Sequence, residues 1–190
     1  RFRNVTGVQT CALPICYLAR WAMEFHAVAT RSLRQGGGFR EPEAEALAAQ
    51  AVGGAEGARR LVALRPKLGR AFEAEELRTL AANFSEPAAR EALTAELATP
   101  QSRATAVRLL WDSRASLDAA PVREPLTAAV RQLLSGDAPA DQALAADAAA
   151  AFKLTGVAEE LTALVRAKWR EVRQPAVLAA LRALREMGAG

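Results

Sequence analysis

Pro175-Ala-Val-Leu-Ala-Ala-Leu-Arg-Ala-Leu-Arg-Glu-Met-Gly188 is the stretch on which the fold turns. Alanine, leucine, arginine and glutamate lose little freedom in a helix, so the composition of the stretch is helical. Proline at the first helical position sacrifices no hydrogen bond, and glycine after the last turn stops the helix. Val177, Leu178, Leu181, Leu184 and Met187 recur on one side. Just upstream, residues 157–169 repeat the design, with Val157, Leu161, Leu164, Val165 and Trp169 on one face. Two amphipathic helices therefore stand side by side, joined by a short turn.

Working outward, the same pattern recurs. Leu77, Leu80 and Phe84 mark a helix, and Ser85 is placed to cap the next, which carries Ala89, Leu93 and Leu97. Thr99-Pro100 is expected to open another, with Val107, Leu110 and Trp111. Residues 121–134 carry Val122, Leu126, Val130, Leu133 and Leu134. Asp137-Ala138-Pro139 starts the next, with Leu144, Phe152 and Leu154, closed by Gly156. Pro100, Pro139 and Pro175 stand 39 and 36 residues apart. A period near 40 built of helix pairs is the mark of a helical array, in which each pair covers its apolar face only by stacking on its neighbours.

Before residue 73 the pattern is less regular. Helices are expected over about residues 17–33, 41–52 and 55–64, punctuated by Gly36-Gly37-Gly38, Gly53-Gly54 and Pro66. The whole composition agrees with an all-α chain: 51% of residues are hydrophobic but only 5% aromatic, and Ile15 is the sole isoleucine. No apolar run is long enough for a membrane span.

The 175–188 stretch resembles a first helix of a HEAT repeat, and 157–169 resembles a second. The resemblance covers roughly residues 73–190 and extends, with a less regular pattern, over 17–72. It implies a right-handed α-solenoid of antiparallel helix pairs, a HEAT-like or ARM-type superhelix. The tryptophan, glycine and tyrosine positions of a tetratricopeptide motif are not matched. The last helix has no partner before Gly190, so a longer parent array is expected.

Residues 5–15, Val-Thr-Gly-Val-Gln-Thr-Cys-Ala-Leu-Pro-Ile, resemble the translation of a short-read sequencing adapter, codon for codon. Residues 1–16 are therefore read as non-native and set apart from the fold. Cys11 and Cys16 then indicate neither a disulfide nor a metal site, and the native start is expected upstream.

Catalytic constellations are absent from the sequence. The one histidine, His26, has no native cysteine to work with and reads as an ordinary helix residue. There is no C-x-x-C-H, phosphate loop or dinucleotide fingerprint; Gly36-Gly37-Gly38 follows a helix rather than a strand. Glu73, Glu75 and Glu76, and then Glu159 and Glu160, fall in first helical turns, where they complement the helix dipole. No cofactor or metal is expected.

The net charge is +4 with a pI of about 9.7, and charges of both signs are interspersed. Two stretches concentrate the bases. Arg59, Arg60, Arg65, Lys67 and Arg70 have no acidic neighbour between Gly57 and Phe72. Arg166, Lys168, Arg170 and Arg173 surround Trp169. Lining one concave face, they could follow a phosphate backbone, as HEAT-like DNA glycosylases do; no residue of that family's motif aligns, so none is carried over. The leading expectation is a non-catalytic interaction or scaffold region of a larger bacterial-type protein. Its partner is then another protein or another domain of the same chain. The alternatives are an accessory region of a large exported dehydrogenase and haem protein, which rests on resemblance alone, and a DNA-backbone-binding module.

Overall fold

Alanine-rich amphipathic segments with proline at their starts become helices, and the computed structural model is helical throughout its regular structure. It describes residues 27, 28, 31, 41–115, 117–171 and 174–188. Among these, Ala27, Val28 and Arg31 are helical and exposed. The expected non-native segment 1–16, most of the helix expected over 17–33, His26 and Gly36–Gly38 lie outside the described residues.

The elements are α1 (Pro42–Val52), α2 (Gly54–Leu68), α3 (Ala74–Ala82), α4 (Pro87–Ala98), α5 (Arg103–Asp112), α6 (Arg123–Ser135), α7 (Pro139–Phe152), α8 (Ala158–Lys168) and α9 (Pro175–Glu186). Single 3-10 turns at Ala120–Val122, Thr155–Val157 and Trp169–Glu171 flank α6 and α8. No strand occurs among the described residues.

Every substantial helix contact joins a helix to the next one or to the next but one. The odd-numbered helices α1, α3, α5, α7 and α9 thus touch in series, as do α2, α4, α6 and α8. A continuous core runs between the two rows, from Leu61 through Leu77, Leu93, Leu110 and Leu126 to Leu161. Each leucine so buried contributes about 1.5–3 kcal/mol relative to exposure.

Two seams rest on small residues. Gly53 ends α1 with φ 63° and leads directly into α2, a left-handed turn that glycine makes without steric cost. A Cβ on Gly57 would collide with the Ala49 carbonyl, so α2 approaches α1 only because that position is glycine. At the other end α7 and α9 make the most extensive contact of all. Both bury alanines there: Ala145, Ala146, Ala148 and Ala149 on α7, and Ala176, Ala179, Ala180 and Ala183 on α9. Small side chains let helix axes approach toward the short end of the 8–10 Å range.

Several sequence expectations shift. Pro100 does not open a helix: the Thr99 carbonyl accepts from the Ser102 and Arg103 amides, and α5 starts at Arg103. Proline suits the second position of such a turn equally well. Ser85 does not cap α4; Glu86 precedes it, with Pro87 at the first helical position. Pro66 sits inside α2, exposed and near its end, and Gly69 with φ 64° terminates the helix instead. Gly156 does not close α7, which ends at Phe152 through Lys153 in a left-handed conformation (φ 51°). The odd-numbered helices begin at Pro42, Ala74, Arg103, Pro139 and Pro175, spacings of 32, 29, 36 and 36 residues, shorter than the expected 40.

The two defining helices keep only part of the expected apolar face. In α9 Val177 is buried and Leu184 and Met187 pack against the core as expected, but alanines fill the rest of the inner face while Leu178 and Leu181 remain 45% and 42% exposed. Trp169 is 60% exposed, off the buried face of α8. Val157, Leu161 and Leu164 are buried as expected.

Candidate interaction surface

The arginines of the first basic stretch lie on α2 and in the α2–α3 connection, and glutamates from elsewhere in the chain meet them. Arg59 Nε donates to Glu86 at 2.9 Å. Arg65 Nε donates to Glu96 at 3.1 Å, with the Arg65 guanidinium 5.2 Å from the Phe72 ring centre. Arg70 donates to Glu43 at 2.6 Å and to Glu76 at 2.8 Å. Arg60 stands 4.0 Å from Glu45. Lys67 is exposed at the end of α2.

These pairs clasp neighbouring helices. Glu96, 2% exposed, also accepts from the Ser102 hydroxyl, tying α4 to the turn before α5. Glu76, 1% exposed, accepts from the Glu73 amide at 2.7 Å as half of a capping box at the start of α3. Hydrogen bonding to Arg70 holds the Glu43 carboxyl below its usual range, and hydrogen bonding to Arg59 does the same for Glu86. Further along, Arg131 of α6 binds Glu160 of α8. Partial burial raises the Glu160 carboxyl, but the Arg131 hydrogen bond and its own backbone amide outweigh this and lower it.

The second stretch is more open. Lys168 donates to Gln142 at 3.0 Å, and Gln142 donates onward to the Leu134 and Gly136 carbonyls, joining α6, α7 and α8. Arg166 and Arg170 are exposed, and Arg170 lies 5.4 Å from the Trp169 ring centre. Arg173 lies outside the described residues. The structure does not join the two stretches: α2 and α8 belong to the same row, but α4 and α6 stand between them.

What the even-numbered helices do share is an outward face with alanine at its centre. The exposed sets are Arg59, Ala63 and Lys67; Glu91, Ala95 and Ala98; Glu124, Ala128 and Gln132; and Ala163 between Glu159 and Arg166. Between α4 and α6 this face dips into a groove of about 480 Å3 flanked by Arg103 and Arg131. Arg103 donates to the Leu97 and Ala98 carbonyls at 3.0 Å, so its charge complements the end of α4.

Among the described residues no group of three or more histidine, cysteine, aspartate or glutamate side chains is arranged to hold a metal ion. No described helix is long and apolar enough to cross a membrane. Comparison with family models, curated proteins and solved structures finds no match for this chain.

Sequence reading found the basic residues but not their partners. Glu76 is only 6 residues from Arg70, but Glu86 is 27 from Arg59, Glu96 is 31 from Arg65 and Glu43 is 27 from Arg70. That separation is about one helix pair, and it was the available signal.

Proposed function

We propose that this chain is a non-catalytic interaction region built as a right-handed HEAT-like α-solenoid. The observation that carries the reading is the contact pattern: among the described helices every substantial contact joins near neighbours, and the outward side of the even-numbered row carries exposed residues from α2 to α8. Such open faces are what extended partners bind in stacked helical arrays. The alanine-centred face of the even-numbered helices offers a smooth floor with charged edges. The pairing of Arg59, Arg65 and Arg70 with carboxylates speaks against the phosphate-backbone alternative, because neutralised guanidinium groups release few counterions from nucleic acid.

Small-angle scattering and heparin chromatography test the proposal together. A compact 190-residue globule has a radius of gyration of about 16 Å; the array should exceed that clearly, and it should pass through heparin at physiological salt. A radius at the globular value overturns the solenoid. Retention with a steep salt dependence overturns the protein-interaction role in favour of a nucleic-acid role.

A further inference from the structure

The α3–α4 and α5–α6 connections frame a cleft of about 450 Å3. Phe84, Leu117 and Pro121 supply apolar wall, and Arg90 and Asp118 supply opposite charges. Arg90 is the anomaly. The half-buried basic side chains among the described residues are Arg60, Arg65, Arg70, Arg90, Arg103 and Lys168. All but Arg90 have an oxygen partner: Glu45, Glu96, Glu76, the Leu97 carbonyl and Gln142 in turn. Arg90 thus lines the cleft with no carboxylate or carbonyl bound to its guanidinium among the described residues, which leaves its donors open to an anion.

The surroundings agree. Asp118 is turned to the Ala120 amide, 3.0 Å away, rather than to Arg90. Glu86, the residue before α4, is held by Arg59 rather than by Arg90 and makes no side-chain cap.

We propose that this cleft binds the C-terminal carboxylate of a partner polypeptide whose last residue is apolar. The carboxylate pairs with the Arg90 guanidinium, a planar match for two parallel hydrogen bonds. The terminal side chain lies against Phe84, Leu117 and Pro121. The free oxygen of Asp118 accepts an N–H from the peptide backbone, which is why a chain end fits better than a simple acid. This names a partner class for the interaction role proposed above and rests on it.

The test titrates the full chain, isotopically labelled, with the peptide acetyl-Ser-Gly-Ser-Val-Leu as the free acid and as the C-terminal amide. Expected are amide-resonance shifts at Phe84, Arg90, Leu117 and Asp118, with the acid binding about tenfold or more tighter than the amide. Arg90→Gln should remove that preference at an unchanged melting temperature. Acid and amide binding alike, or no shift at these residues at millimolar peptide, overturns the proposal. Should the variant fold poorly, the acid-against-amide comparison on the unaltered chain decides alone. Scattering reports separately on the array, so a failed titration with an extended particle rejects the cleft and not the architecture.

Discussion

The two ends of the chain hold their helices together differently. From α1 to α4 the close Gly57 approach is joined by clasps of charge: Arg59 with Glu86, Arg65 with Glu96, and Arg70 with Glu43 and Glu76. From α7 to α9 the seam is alanine on alanine, with the Arg182–Asp147 pair at 3.5 Å as its ion-pair link among the described residues. Charge gives a seam that answers to pH and salt. Close alanine packing gives one that answers to side-chain volume. One chain thus uses two means to stack helices whose apolar faces alone specify no single register.

The largest effect should come from breaking the charged end. Glu76→Ala removes a 1% exposed carboxylate that holds Arg70 and the Glu73 amide. Its cost in denaturant unfolding should fall toward the low end of about 3–5 kcal/mol, since Arg70 keeps Glu43. Ala180→Leu attacks the other end, where Ala180 is fully buried in α9. Overpacking there should cost about 1–3 kcal/mol, with the same penalty in low and high salt.

Acid sharpens the contrast further. The Glu43, Glu86 and Glu160 carboxyls are all held below their usual 4.5. Depressed folded-state values mean that their stabilisation is full above that value and fades as pH falls through the lower folded one. Hydrogen exchange between pH 6 and pH 3 should therefore show α1–α4 and the α6–α8 contact losing protection while the α7–α9 seam keeps it. Equal loss in both regions contradicts the division. The smallest effect belongs to Leu178→Glu with Leu181→Glu on the open face of α9, expected within about 0.5 kcal/mol of the parent in thermal melts. A clear destabilisation shows that those leucines are covered in solution.

Much of the helix order was legible because composition, proline starts and apolar spacing are local properties. The helices expected over 157–169 and 175–187 are found at 158–168 and 175–186, and Leu126, Val130, Leu161 and Leu164 read correctly as core. Pro100 misled because proline at the first helical position and proline in a turn look alike in sequence. In α9 the expected stripe was only partly right: Val177, Leu184 and Met187 pack inward, but Leu178 and Leu181 stay exposed and Ala176, Ala179, Ala180 and Ala183 take the rest of the inner face, matching the alanines α7 buries. The candidate basic surface was legible as residues but not as charge, since its neutralising glutamates arrive from other helices.

Sequence alone determined that this chain is all-α, where most of its helices lie, and that it carries none of the common catalytic motifs, because helix propensity, punctuation and motif spacing act over a few residues. Only the tertiary structure decided which stripe of each helix is buried, which arginines are paired and that Arg90 is left over. Those outcomes depend on what a neighbouring helix presents across the seam, and that neighbour lies about 30 residues away, beyond the reach of any local rule.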